Sequence, residues 1–113
     1  MKFEAGDIVW VVFPHVATNR AARRPALIVS HTGLGPNKDL VWVIMITSAS
    51  RSAWPGDIII DDFAGRGLPI ASKIRTEKIM TLDAGGAQFV GKLTARELDT
   101  VRERLSLHLG APC

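Results

Sequence analysis

Two pairs of side chains in this sequence have the types and spacing for phosphate and proton chemistry: Arg24 with Thr47, and Arg75 with Glu77. Arg24 lies in RRPALIVS, residues 23–30, where two arginines and a proline run straight into an apolar strand. Thr47 stands at the end of VIMITS, residues 43–48. If residues 24–30 and 40–48 form an antiparallel hairpin around the loop 31–39, Arg24 falls opposite Thr47 at its open end. Directly opposed residues on one sheet face hold their Cβ atoms roughly 5 Å apart. A guanidinium fork and a hydroxyl would then meet over the same anion. Arg75 and Glu77 stand two apart in SKIRTEKIM, so on an extended segment they share a face and combine a cation with a carboxylate, as acid–base work requires. Each pair has a second reading that spacing alone leaves open. Strand-end arginines are commonly solvated, and Thr-Ser pairs commonly bond their own turn. A same-face Arg and Glu are commonly a surface ion pair of little energetic weight.

The elements that would position these groups are mostly strands. The 113 residues, 47% hydrophobic and 22% charged, suit one domain over 1–113 with a real core. Gly6-Asp7 opens IVWVVF, a run too short for a helix and rich in β-branched and aromatic residues, and Pro14 ends it. A polar loop leads through Pro25 into ALIVS, and a third strand runs LVWVIMITS, residues 40–48. SAWPGD is a turn before strand IIID, 58–61, and AGRGLP is another. SKIRTEKIMTLD, 72–83, reads as an extended strand with a kink, and AGGAQ separates it from FVGKL. Trp10 and Trp42 sit within apolar runs and are assigned to the core. One helix follows, where T-A-R-E forms a capping box between Thr94 and Glu97. Leu98, Val101, Leu105 and Leu109 fall on one face of it, and Gly110 suits its C-terminal cap. The fold class is mainly β: a small antiparallel β-barrel with a C-terminal α-helix.

Composition narrows the setting. A formal charge of +3 and a pI near 9.5 fit a polyanionic partner. Cys113 stands alone, so no intrachain disulfide forms and a cytoplasmic setting is the default. MKFEAGDIVW is neither a signal peptide nor an anchor, and no segment approaches the ~18 apolar residues of a spanning helix. His15, His31 and His108 are scattered, and the Asp61-Asp62 pair points to opposite faces of a strand, so no metal site and no cofactor are expected.

In order and spacing, GDIVWVVFP (6–14), RRPALIVS (23–30), VIMITS (43–48), AWPGD, GLPIASKIRTEKIMTLD (67–83) and VGKLT (90–94) resemble the PemK/MazF-like toxins of bacterial toxin–antitoxin pairs. The resemblance covers nearly the whole chain. It implies an SH3-like β-barrel, a homodimer, and a metal-independent ribonuclease that cuts single-stranded RNA, messenger RNA included, at specific sequences. The family places functional groups at positions matching Arg24 and Thr47, and its PemK-like branch at an R-x-[DE] segment matching Arg75 and Glu77. The sequence departs in one place: the loop PHVATNRAARR has no carboxylate where some MazF-like members carry one. A PemK-like histidine would align nearer Thr18 than His15, so that role is not carried over, and His15 reads as a loop histidine without chemistry.

Metal-free RNA hydrolysis proceeds by attack of the 2′-hydroxyl on its own phosphate, which needs a base, a leaving-group acid and charge stabilisation. The assignment expected is Arg24 and Thr47 on the non-bridging oxygens, Glu77 as base, and Arg75 steadying the leaving 5′-oxygen electrostatically. Products would be a 2′,3′-cyclic phosphate and a 5′-hydroxyl. RNA contacts would come from Arg20, Arg23, Ser48, Arg51, Arg66 and Lys73, with Trp54 stacking on a base or packing on the rim. If strand alternation persists, Arg23 points away from Arg24 and is a general RNA contact or a solvated charge. The partner implied is an acidic antitoxin. Two alternatives remain from the sequence: a non-catalytic barrel of CcdB type that poisons DNA gyrase, and a degenerate homologue that binds RNA or antitoxin without cutting.

Overall fold

The apolar runs become strands because their residues are largely β-branched and because both faces of the sheet they build are covered. The computed structural model describes residues 3–15, 20–31 and 33–110. Through them run β1 (Asp7–His15), β2 (Arg20–Ile28), β3 (Leu40–Ser48), β4 (Asp57–Ile59), β5 (Ser72–Asp83) and β6 (Gln88–Lys92), followed by α1 (Ala95–His108). Short 3₁₀ turns at Ala64–Arg66 and Ala84–Gly86 lie between β4 and β5 and between β5 and β6. The strands pair antiparallel in the order β4-β5-β3-β2-β1-β6.

Alternation along the strands divides the apolar side chains between two buried clusters. Ile8, Leu27, Ile44, Ile46 and Ile74 belong to one, which Ile60, Leu68, Leu93 and Val101 complete. Val9, Val11, Ala26, Ile28, Val43 and Met45 belong to the other, against Phe3, Met80 and Leu82. Each buried aliphatic side chain contributes about 1.5–3 kcal/mol, so the two clusters hold β1, β2 and β3 as the rigid centre. The capping box forms as the sequence indicates: Glu97 N–H donates to Thr94 Oγ1 at 3.2 Å, and Thr94 N–H donates to Glu97 Oε1 at 2.8 Å. Val101 anchors α1 in the first cluster with Leu105 beside it. Gly110 takes a φ of 74° just beyond the helix, a conformation glycine adopts without strain. Leu109 is the exception on the expected apolar face, 82% exposed at the helix end.

Four further expectations change. The six strands form an open sheet, and β4 and β6 are its edges rather than a closing pair. β4 is only three residues long, and the chain after it crosses to β6 through backbone contact instead of a strand ladder. Gly91 permits that approach, since a Cβ there would fall 2.2 Å from the Arg66 carbonyl oxygen. Pro14 does not end β1, which continues to His15 in register with Arg20. Only Asp7–Trp10 of β1 pair with β6, so beyond them a residue without an N–H is tolerated. Trp42 is 49% exposed rather than core, and Trp10 is only partly buried. Finally, the kink in β5 is a large bulge: between Ile44 and Met45 of β3, β5 runs from Ile79 to Arg75 and leaves Thr76, Glu77 and Lys78 without a register partner.

Candidate functional site

The β2–β3 register places Ala26 against Met45, so Arg24 and Thr47 lie two residues further along the same alignment. The ladder stops at Ala26, next to Pro25, which supplies no N–H to extend it. Past that point the space between the strands is a cleft of about 300 Å³ lined by Arg23, Arg24, Thr47, Ser48 and Arg51, with Trp10, Ile46 and Ile70 among its apolar walls. Among the described residues that line it none is acidic. Ser48 Oγ lies 2.8 Å from Ser50 Oγ and accepts from Ser50 N–H, while its carbonyl accepts from Arg51 N–H at 3.1 Å. This turn carries the chain out of β3 and sets Arg51 at the cleft. Arg23 donates to Gln88 Oε1 on β6, so its guanidinium is shared between the cleft and the sheet edge.

A second group of charges lies behind the cleft, and it holds Arg75 and Lys73, two of the cations expected at RNA. Arg75 and Lys73 are buried, 9% and 3% exposed, and both bind Asp57 at the start of β4. Arg75 makes a two-pronged contact, Nε to Oδ1 at 3.2 Å and Nη2 to Oδ2 at 3.0 Å, and Lys73 Nζ stands 3.3 Å from Oδ2. Burial alone would raise the Asp57 pKa. The hydrogen bonds from Arg75, from the Trp54 N–H and from Lys73 more than offset it and hold the carboxyl at about 2. The same cations reach into the β3–β4 connection: Lys73 Nζ donates to the Arg51 carbonyl at 2.6 Å, and Arg75 Nη2 to the Ser52 carbonyl at 2.7 Å. The Arg75 guanidinium also lies over the Trp54 ring, 4.4 Å from its centre. Asp57 and the carbonyls of the connection therefore satisfy Arg75 and Lys73, Trp54 packs against Arg75, and none of the three is in the described lining of the cleft.

Glu77 is displaced by the bulge. It is exposed and lines a separate apolar groove of about 520 Å³ with Trp42, Ile79, Leu105, His108 and Leu109. Thr76, buried beside it, donates to the Gly56 carbonyl at 2.7 Å, and its oxygen lies 2.9 Å from His108 Nε2. With the Thr76 hydrogen already committed, that ring nitrogen is the donor. Arg75 and Glu77 thus do not share a face, because spacing by two holds only while the strand stays regular. Arg66, a candidate for phosphate contact, pairs with Glu97 at 2.7 Å. Burial would raise the Glu97 pKa, but the Thr94 N–H and Arg66 lower it overall. Thr18 lies outside the described residues, as do the side chains of His15 and Arg20. Among the described residues no three His, Cys, Asp or Glu side chains come together to hold a metal ion, and no helix is long and apolar enough to cross a membrane.

The sequence missed Asp57. Its only local signal is the P-G-D turn after Trp54, and its partners come from β5, far along the chain.

Comparison with known proteins places these features in a family. Residues 4–109 match the model of the PemK-like, MazF-like toxin of type II toxin–antitoxin systems. Among solved structures, MazF in a MazE–MazF crystal from Deinococcus radiodurans superposes with a TM-score of 0.77 at 25% identity, covering 96% of this chain and 97% of that one. An endoribonuclease in complex with its cognate antitoxin from Mycobacterial species gives 0.72 at 18% identity over 99% of both chains. The Mycobacterium tuberculosis toxin MazF-mt6 gives 0.66 at 22% identity, over 80% of this chain and 90% of that one. A search of curated proteins returned no match.

Proposed function

Because the chain belongs to the PemK-like, MazF-like toxin family of type II toxin–antitoxin systems, we propose that it is a toxin endoribonuclease that cleaves single-stranded messenger RNA in the cytoplasm. The observation that carries this reading is the cleft between β2 and β3, which Arg24 and Arg51 line together with Thr47 and Ser48 and with no acidic side chain in the described lining. A guanidinium fork with adjacent hydroxyls suits the non-bridging oxygens of a phosphodiester. The similar structures include MazF toxins and endoribonucleases, and none favours the alternative of a gyrase-poisoning barrel.

In this reading Arg24 and Thr47 hold the scissile phosphate, and Arg51, Ser48 and Arg23 bind the chain beside it. The 2′-hydroxyl gives its proton to solvent as its oxygen attacks phosphorus, the bond to the 5′-oxygen breaks, and the leaving oxygen takes a proton from solvent, so that the products are a 2′,3′-cyclic phosphate and a 5′-hydroxyl. The protein's contribution is charge stabilisation and alignment of an in-line attack. Arg75 and Glu77 take no direct part: the first is committed to Asp57 and the second faces the other groove. The reaction needs no metal, and two chains act as a homodimer that an acidic antitoxin covers over the same basic surface.

Mass analysis of fragments from a defined RNA tests the chemistry. Cyclic phosphate and 5′-hydroxyl ends are expected, undiminished in EDTA; 3′-hydroxyl ends or complete loss with the chelator would refute it. Arg24→Ala should slow cleavage by about 10²–10³, the usual cost of a lost phosphate-stabilising donor.

A further inference from the structure

Among the described residues that line the cleft, Arg23 and Arg24 are carried on a strand and Arg51 on a connection. A loop side chain can be a precise ligand only if something fixes the backbone beneath it. Here the fixing points converge on one carboxylate. The Arg51 carbonyl accepts from Lys73 at 2.6 Å and the Ser52 carbonyl from Arg75 at 2.7 Å, while Trp54 N–H donates to Asp57 Oδ2 at 3.0 Å. Lys73 and Arg75 are in turn both held by Asp57. At the other end the Ser48 turn fixes Ser50 and Arg51 through their N–H groups. Lys73 is also the register partner of Thr47, so the anchor is built into the strand beside the cleft. We infer that Asp57, with Lys73 and Arg75, is a positioning residue that fixes the β3–β4 connection so that the Arg51 guanidinium meets an RNA phosphate. This rests on the ribonuclease reading for its ligand. It gives an indirect role, through the backbone beneath Arg51, to Arg75, which the sequence suggests for catalysis, and to Lys73, which it suggests for phosphate contact.

The test is binding of a 2′-O-methyl RNA oligomer, which lacks the attacking hydroxyl and stays whole. Arg51→Ala should weaken it several-fold and reduce the slope of log affinity against log salt by about 0.7, the single-strand value for one phosphate contact. Asp57→Asn should do the same, and the double variant should bind no more weakly than Arg51→Ala alone. Combined with Arg24→Ala, by contrast, Asp57→Asn should act additively. A merely structural Asp57 would show no such selective coupling to Arg51. If Asp57→Asn fails to fold by circular dichroism, Lys73→Met removes the Arg51 carbonyl anchor while leaving the Arg75–Asp57 contact, and should show the same coupling. Parent-like affinity and slope in a folded Asp57→Asn, or additive losses with Arg51→Ala, would overturn the inference. A parent that binds the methylated oligomer with this coupling but leaves ordinary RNA uncut refutes the ribonuclease reading and supports the positioning one. A parent that binds no RNA refutes both.

Discussion

Arg24 and Arg75 flank the same stretch of β3, and they have opposite fates. Met45 pairs with Ala26 on one side and with Arg75 on the other, so the two arginines reach the end of β3 from neighbouring strands. Arg24 is partly buried in a cleft without a described carboxylate. Arg75 stands in register with Asp57 on β4 and is closed over by it. The residue type is the same, and what differs is one aspartate delivered by the adjoining strand. Net positive charge is therefore a poor guide to an RNA surface, because the cations that matter are those the fold leaves without an anion.

That contrast predicts a separation of stability from activity. Removing one partner of a buried ion pair costs about 3–5 kcal/mol, because the remaining charges stay buried without compensation. Asp57→Ala should lose that amount in urea unfolding. Arg24→Ala should stay within about 0.5 kcal/mol of the parent while losing most of its cleavage rate. If Asp57→Ala unfolds with the parent's midpoint, the network behind the cleft holds nothing, and the distinction drawn between the two arginines fails.

A smaller effect sharpens the same contrast through pH. The folded Asp57 pKa is lowered from 3.8 to about 2. A depressed carboxylate contributes stability that is present above the unfolded pKa and lost as pH falls through the folded one. The window is thus about pH 4 to 2. The Asp57 side chain is only 9% exposed, and a lowering of that size corresponds to about 2 kcal/mol. Glu97 is also lowered by its partners, so the parent's loss on acidification has two sources. Asp57→Asn should remove one of them, flattening its urea midpoint between pH 4 and 2 relative to the parent's. An unchanged acid slope would place Asp57 outside the ion network.

Much of this architecture is legible in the sequence, and the failures have physical causes. The span of β5 at 72–83 and the Thr94–Glu97 box are local features, fixed by alternation and by capping chemistry within a few residues. The alignment of Arg24 with Thr47 needed only the hairpin around residues 31–39. Asp57 with Arg75 needed a pairing between strands separated by a long connection, which no local pattern announces. The bulge at Thr76–Lys78 likewise arises from how β5 follows β3. One inserted irregularity was enough to separate Arg75 from Glu77. Trp42 shares the face of Ile44 by alternation, yet it lies at the groove with Ile79 and Leu109, where the cover from α1 ends.

Trp54 gives the finest test of how far the proposed RNA surface extends. The residue is 40% exposed, so stacking on a base is sterically open, but the Arg75 guanidinium already occupies one aromatic contact. A cation–π contact at an exposed site contributes about 0.5–1 kcal/mol, whereas base stacking contributes about 1–3 kcal/mol to binding. If the ring serves the network, Trp54→Leu should lower stability by about 0.5–1 kcal/mol and leave the affinity for the methylated oligomer within about twofold. If it serves RNA, affinity should fall by about tenfold or more with stability intact. The second result would extend the nucleic-acid surface beyond the cleft onto the β3–β4 connection, and Arg75 would then support a base as well as a backbone. The first is expected here, because Trp54 lies outside the cleft lining and beneath a charge that is already satisfied.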